Sequence, residues 1–370
     1  MSSLTGHVVG ITGHRRWEEQ AEMLMRRGAR VIHGPVMQTG LLDDADATIA
    51  ATRAVIDDPP DHVVLTTGLG TRSWLAAAEG AGMEADLRAA LARAHVLARG
   101  PKARSAALGG GVEVHWEAPG EVSGQIVEHL AALGVTGRRI AVQRDGGDPV
   151  LADALRALGA DVVDVPVYRW SLPEDTGPAV RLIEAATAGQ LDAVTFTCAY
   201  AVRNTFELAP DPAALAAAFD TIAAVAVGPV TTAELRRHGV RSPVEPARGR
   251  LGSMMHALIS ELTRRHRVLR FGTTEVQLQG SALLAPKSDA SAEGRDAVWL
   301  TAGERRLLER LLAASPAVVA KVDLVDEGTD PHAAEAAMTR LRSKLGPLGG
   351  AIRTVPRRGY ACTLEVEATA

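Results

Sequence analysis

The sequence has few aromatic side chains, 3% of its residues, although 46% are hydrophobic. Its cores must therefore be built from Ala, Leu and Val. It has two cysteines, Cys198 and Cys362. That excludes a disulfide framework and suits a reducing, cytoplasmic setting. No apolar run approaches the roughly 20 residues of a membrane-spanning helix, so no membrane partner is expected. The opening MSSLTGHVVG lacks a basic flank leading into a long apolar run, so no signal peptide is read there. The net charge of −4 excludes a basic protein that coats nucleic acid, so any such affinity must come from a local patch. No Ser-His-Asp or Cys-His spacing is present. His14, His33, His62, His95, His115 and His129 are scattered without metal-ligand spacing and read as surface or turn histidines. No metal site is expected from their spacing.

At 370 residues, two or three domains are expected. Short apolar strands alternate with helices. Strand His7–Thr12, helix Trp17–Arg27 and strand Arg30–His33 come first. Strand Asp61–Thr67 runs into helix Arg72–Ala78, and strand Ala94–Ala98 into helix Lys102–Leu108. This alternation predicts parallel α/β layers. The order then recurs. Gly28 pairs with Gly159, Pro35 with Pro166 and Thr66 with Thr197, each at an offset of 131. Gly100-Pro101 pairs with Gly228-Pro229 at an offset of 128. The expected fold is a duplicated, two-lobed parallel α/β structure.

The strand ends are rich in hydroxyls, glycines and basic residues: Thr12, Arg15 and Arg16; Thr66 and Thr67; Lys102; Arg144; Thr197; Gly228 and Thr231. Ligands of parallel sheets bind beyond the carboxyl ends of the strands, where helix N-termini offer free N–H groups. Two such lobes facing each other would hold a polycarboxylate. The alternative is ordinary turn chemistry, with Thr and Gly-Pro starting helices.

The C-terminal third differs. Arg264–Arg270 reads as a basic connector, and VLRFGTTEVQLQGSALLA alternates like a small antiparallel sheet. Pro286–Asp296 reads as a loop, and Thr301–Glu304 as a capping box. Ala336–Tyr360 carries six basic residues and no acidic one. Ala334, Met338, Leu341 and Leu345 fall on one helix face, leaving Thr339 and Arg340 opposite, with Arg342 and Lys344 on the flanks. Arg353, Arg357 and Arg358 follow on a hairpin. This is either a solvated basic helix or a helix that reads a DNA groove beside a hairpin that grips phosphate.

LTAGERRLLERLLAASP, TRLRSKLG and IRTVPRRGY together resemble the winged-helix DNA-binding domain of OmpR/PhoB-type response regulators, over about 267–364. The resemblance implies a recognition helix at Ala333–Leu345 and a wing at Ile352–Leu364. Thr339, Arg340, Arg342, Lys344, Arg353, Arg357 and Arg358 would then meet DNA, and the protein could pair as a homodimer there. That family usually has glycine where this chain has Arg357. A receiver domain would need acids at the first strand end. Thr12–Arg16 is basic instead, which excludes an internal phosphorelay.

VVDVPVYRW, VTFTCAYAVRNTF and VAVGPVTTAELRRHGV resemble the repeated motifs of uroporphyrinogen-III synthase, over about 7–262. That resemblance implies two lobes joined by a two-stranded hinge: lobe one from 7–36 and 172–263, lobe two from 37–171. It implies closure of hydroxymethylbilane into a macrocycle with inversion of the last ring, without metal or cofactor. Tyr168 falls at the family's cleft tyrosine, implicated in loss of the substrate hydroxyl, and Thr231 at the threonine of the Gly-Pro-x-Thr turn. Thr197-Cys198 stands where Thr-Ser is usual, and Ala103 lacks a frequent hydroxyl. The expected whole is a synthase-like module, 1–263, with a C-terminal winged helix-turn-helix, 264–370. Its expected partners are DNA and a tetrapyrrole or other polycarboxylate.

Overall fold

The structure, a computed structural model, describes residues 4–40, 45–144, 149–167, 169–284, 297–324 and 331–368. The loop expected at Pro286–Asp296 lies outside them. The chain forms two compact units, 1–37 with 172–370, and 38–171. The first unit opens with strands β1 (Val8–Ile11) and β2 (Arg30–His33). The second holds β3 (Gln38–Gly40), β4 (His62–Leu65), β5 (His95–Ala98), β6 (Trp116–Glu117), β7 (Arg139–Gln143), β8 (Asp161–Val165) and β9 (Arg169–Ser171). The chain returns to the first unit with β10 (Ala193–Phe196) and β11 (Ala223–Ala226). β3 and β9, the first and last strands of the second unit, pair antiparallel.

Both units contain a parallel sheet, as the alternating pattern predicts. The orders are β11-β10-β1-β2 and β6-β5-β4-β7-β8. These are the same order, with β4 equivalent to β10, β5 to β11, β7 to β1 and β8 to β2. The hydrogen-bond register repeats as well. His62 lies opposite His95 and Ile140, as Ala193 lies opposite Ala223 and Val9. Trp116 beside Leu97 matches Val244 beside Val225, both at an offset of 128.

Alternation builds the layers. In the second unit, Val63, Leu65, Val96 and Ala141 enter one core, while Val64, Leu97, Ile140 and Val142 enter another. A sheet apolar on both faces must be covered on both, so its strands read as continuous apolar runs.

The C-terminal part adds β12 (Arg267–Phe271), β13 (Thr274–Gln279), β14 (Ala282–Leu284), β15 (Ala297–Trp299), β16 (Val318–Val319), β17 (Ile352–Val355), β18 (Gly359–Cys362) and β19 (Glu365–Ala368). They form an antiparallel sheet, β15-β14-β13-β12-β19, and a smaller one, β16-β18-β17. Arg264–Arg270 is therefore not a connector. Arg264 ends a helix, and Arg267–Phe271 is a strand in which Leu269 is buried and its neighbours are not. The helices Ala302–Ala314 and Pro331–Leu345 share one core with these strands, including Leu307, Leu311, Met338, Leu341 and Leu345. Thr301 and Glu304 form the expected capping box.

This part packs on the β1–β10 layer of its own unit. Asp192, 4% exposed, accepts a hydrogen bond from Val8 N (2.7 Å) and pairs with Arg305 (2.5 Å). Arg306 donates to Ala188 O (2.7 Å), and Ser281 Oγ to Gly6 O (2.9 Å). His7 and His266 are buried here, with ring centres 5.1 Å apart. Burial, helped by the nearby charge of His7, lowers the His266 pKa from 6.5 to about 4. Burial likewise lowers that of His7. A lowered folded pKa means that the unfolded chain takes the proton first. The stability gained from neutral His266 is complete above about pH 6.5 and is lost as pH falls toward about 4, a swing of roughly 3 kcal/mol. Urea midpoints should therefore drop between pH 7 and 4.5, and His266→Leu should flatten that slope. An undiminished slope in the variant would assign the effect to other groups.

Candidate functional site

In the second unit β4 ends at Leu65, and Thr66-Thr67 turn directly into the helix Gly68–Gly80. The turn is held by Gln143, at the end of β7 and fully buried. Its Oε1 accepts from Thr66 N (3.1 Å) and Thr67 N (3.3 Å), and its Nε2 donates to Arg144 O (3.2 Å). Thr66 Oγ1 donates back to Gln143 O (2.8 Å). Thr67 Oγ1 caps the helix by accepting from Gly70 N (3.0 Å). Two glycines permit this. A Cβ on Gly70 would overlap the Gln143 amide, and one on Gly68 would sit 2.5 Å from the carbonyl oxygen of Lys102. That close approach sets the N-terminus of Gly68–Gly80 beside that of Pro101–Gly109. Lys102 is exposed at this end, and an Arg72 guanidinium nitrogen lies 3.4 Å from where a Gly68 Cβ would be. Arg144 is half-buried, with Nε 3.7 Å from the Asp164 carboxylate.

The first unit repeats the arrangement with different side chains. Thr12 occupies the place of Gln143, is fully buried, and donates to Thr195 O (2.6 Å). Gly13 packs against Thr197, whose Oγ1 is 3.3 Å from the Cβ position of Gly13. Arg15 is exposed. Arg16 has φ 56° and pairs with Glu19 (2.7 Å). Helices Ala199–Glu207 and Pro229–Arg237 begin at the ends of β10 and β11 and are joined by Arg203 and Glu234 (3.0 Å). Burial would raise the Glu234 pKa. The hydrogen bond from Arg203 and the charges of Arg203, Arg237 and His238 outweigh it and hold the carboxyl below its usual range. Thr231 is buried on the second of these helices. Gly228, just before it, touches Gly249, with 3.3 Å between its Cβ position and the Gly249 Cα. This contact brings the exposed Arg248 and Arg250 beside the turn.

Each unit thus presents two helix N-termini at adjacent strand ends, with basic side chains near them. Helix N–H groups and positive dipole ends of this kind favour anions, and the arrangement offers donors rather than a nucleophile. Tyr168 lies outside the described residues. Sequence reading missed Gln143 and the Arg248–Arg250 loop. Gln143 could have been found by extending the 131-residue offset to Thr12, whereas the loop carries no local signal.

The basic residues of the C-terminal part divide into two groups. Arg340 is 63% exposed, and Thr339, Arg353, Arg357 and Arg358 are also exposed. Arg342 turns inward, donating to Ile352 O (2.8 Å) and Thr354 Oγ1 (3.0 Å) over the Tyr360 ring. Lys344 pairs with Glu304 (2.6 Å) and donates to Trp299 O (2.8 Å).

Residues 18–256 match the family model of uroporphyrinogen-III synthase HemD. The chain belongs to the uroporphyrinogen-III synthase family. A solved variant of uroporphyrinogen III synthase from the extremely thermophilic bacterium Thermus thermophilus is 32% identical, with a TM-score of 0.60 over 70% of this chain and 100% of that one. A putative uroporphyrinogen-III synthase of Methanothermobacter thermautotrophicus is 36% identical over 36% of this chain and 53% of its own length. The uncharacterized protein YjjA of Bacillus subtilis is 28% identical over 68% of this chain and 94% of its own. Family membership supports a synthase, or lyase, activity within tetrapyrrole biosynthesis. The family match ends before β12. Among the described residues no helix is long and apolar enough to cross a membrane.

Gln143→Ala should leave Thr66 N and Thr67 N without their buried acceptor and cost roughly 1–3 kcal/mol. Urea denaturation measures this, and an unchanged midpoint would remove Gln143 from the turn's support.

Proposed function

We propose that the chain is a working uroporphyrinogen-III synthase, which closes hydroxymethylbilane into a macrocycle with inversion of ring D. The observation that supports this best, beside the family match, is the pair of helix N-termini at adjacent strand ends in each repeat. In this reading the helix N–H groups, Lys102 and Arg15 receive substrate carboxylates. Thr12, Thr66, Gly228 and Thr231 are buried and shape the turns, while Thr67, Thr197, Arg16 and Arg144 line them. The reaction asks little more of the protein. The substrate supplies its own reactive azafulvene once its hydroxyl leaves, so the protein must fold the chain and aim donors at developing charge. Tyr168 is assigned the proton or hydrogen bond that assists the departing hydroxyl. A coupled assay for uroporphyrinogen III with the full chain tests the reading, and absence of turnover would overturn it. Tyr168→Phe removes one oxygen and should slow turnover by about 10²–10⁴-fold with folding intact. An unchanged rate would exclude Tyr168.

A second reading concerns the C-terminal part. We infer that it is an OmpR/PhoB-type winged helix that binds DNA, making the protein a regulator as well. What favours this is an exposed basic set on one helix and the neighbouring hairpin: Arg340, Arg353, Arg357 and Arg358. If the synthase assay fails while DNA binding succeeds, the front half acts as a ligand sensor. Each phosphate contact contributes about one unit to the slope of log affinity against log salt. Arg340→Ala with Arg358→Ala should therefore lower the slope by about two in fluorescence anisotropy with a mixed duplex pool. An unchanged slope would exclude these residues from the interface.

A further inference from the structure

The repeats are alike at the carboxyl ends of their strands and unlike at the amino ends. In the first unit the amino ends of β1 and β10 are covered by the C-terminal part, and the joint is polar. Asp192 pairs with Arg305, Arg306 donates to Ala188 O, and Ser281 donates to Gly6 O through both N and Oγ. The rings of His7 and His266 are buried there, 5.1 Å apart. The two sides of this joint keep separate cores. Leu269, Leu307 and Met338 belong to one, and Val9, Met254 and Leu258 to the other. A polar joint between two complete cores can open without unfolding either.

In the second unit the same edge stands open. The amino ends of β4 and β5 border a cavity where four histidines expected to be scattered gather: His62, His95, His115 and His129. Asp61, the equivalent of Asp192 at an offset of 131, has a side chain 38% exposed and pairs with Arg138 (3.0 Å). A covered edge is thus not a requirement of the repeat. What differs is the counter-charge. At the same offset His7 takes the place of Arg138. Burial lowers the His7 pKa, so its ring is neutral at pH 7 and Asp192 draws on Arg305 instead.

We propose that His7 is a proton-operated latch: on taking a proton its ring replaces Arg305 as the partner of Asp192, and the C-terminal part undocks from the β1–β10 edge. The charged groups that face the two rings are Asp192, Arg305 and Arg265. Arg305 is held as well by Glu309 (3.0 Å), and Arg265 by Glu261 (2.8 Å). In the docked joint a charged His7 would be desolvated beside two arginines, which outweighs the attraction of Asp192. Once the joint opens, water reaches the ring, Arg305 is withdrawn and the attraction to Asp192 remains, the arrangement that Arg138 and Asp61 show in the other repeat. The carbonyl oxygen of Leu4 accepts from His7 Nδ1 (3.3 Å), so the added proton goes to Nε2.

His7 and His266 both have lowered pKa values when docked, so the undocked form takes protons first. Docking has its full strength above about pH 6.5 and weakens as pH falls toward about 4. His266, at about 4 docked against 6.5 free, by itself weakens docking about 20-fold between pH 7 and 5, and His7 adds to this.

The test is native-state hydrogen exchange on the full chain at pH 7 and 5, corrected for intrinsic rates. The Ser281 amide, which donates to Gly6 O (2.9 Å), reports the joint, and the amides of the buried Val194 and Leu311 report the two sides. The Ser281 amide should open more often than the other two, and about 20-fold or more often at pH 5 than at pH 7. His7→Arg, which copies the second repeat, should expose the Ser281 amide already at pH 7 while Val194 and Leu311 stay protected. His7→Leu with His266→Leu, which keeps the joint apolar and uncharged, should hold Ser281 opening level from pH 7 to 5. Circular dichroism checks that each variant is folded, and one folded variant suffices beside the parent. Opening of the Ser281 amide only together with the Val194 and Leu311 amides would overturn the proposal. So would parental protection in a folded His7→Arg variant, or an undiminished pH response in the folded double variant.

Discussion

The carboxylate of Asp192 is the point on which the first unit is assembled. It lies at the start of β10, its side chain accepts from Val8 N, and its backbone bonds to both neighbouring strands, β1 and β11. With so little exposure it needs a full set of partners, because a buried charge left unpaired costs several kcal/mol. The second repeat does not share this need, because the Asp61 side chain is 38% exposed. Asp61 stands at the equivalent place, accepts from Arg139 N, and pairs with Arg138 of the same strand entry. The first repeat has His7 where the second has Arg138, an offset of 131. His7 is buried with a lowered pKa and cannot serve as the counter-charge. Arg305, from the C-terminal part, supplies it.

This exchange accounts for the divergence of the two amino-terminal edges. Where the counter-charge comes from another segment, that segment covers the edge, and small residues such as Ala193 and Ala223 suffice there. Where the repeat supplies its own arginine, the edge stays open and can carry larger polar side chains. The carboxyl-terminal edges have no such freedom. A strand that turns at once into a helix must satisfy the N–H groups of the turn locally. One repeat uses Gln143 as the bracket under the Thr66-Thr67 turn. The other has Thr12 in that place, donating to Thr195 O instead of accepting from the turn, and a tight Gly13–Thr197 contact.

The repeat and the parallel layers were legible because apolar strands and Gly-Pro turns are local signals at a fixed period. Helix starts were less so. The helices expected at Arg72 and Lys102 begin at Gly68 and Pro101. The early residues, Gly68 to Thr71 and Pro101, show no hydrophobic period, yet they form the first turns of these helices. The Gln143 bracket spans 77 residues, and no local pattern predicts such a bond. Arg342 and Lys344 looked like outward charges on helix flanks. Their long stems let them fold back to Ile352 O and Glu304, which a helical wheel does not represent. Arg357 looked out of place for a glycine position, and its φ of 59° explains why glycine is common there.

Glu304 and Arg305 are adjacent residues on the first turn of one helix, and they hold opposite sides of it. Arg305 reaches Asp192 in the sheet of the synthase-like part. Glu304, 4% exposed, accepts from Thr301 N (2.8 Å) as a capping-box residue and pairs with Lys344 near the end of helix Pro331–Leu345. Burial would raise its pKa, but the bonds from Lys344 and Thr301 hold it below the usual carboxylate range. Both pairs are shielded, so neither is a screened surface contact of negligible strength. The consequence is mechanical. The β1–β10 sheet, the first turn of Ala302–Ala314 and the basic helix Pro331–Leu345 are joined by two ion pairs through one peptide unit. The basic helix therefore moves with the strand ends of its own unit rather than on a free tether. A chain of packed, paired groups of this kind is the physical form that communication between the two halves of the protein would have to take.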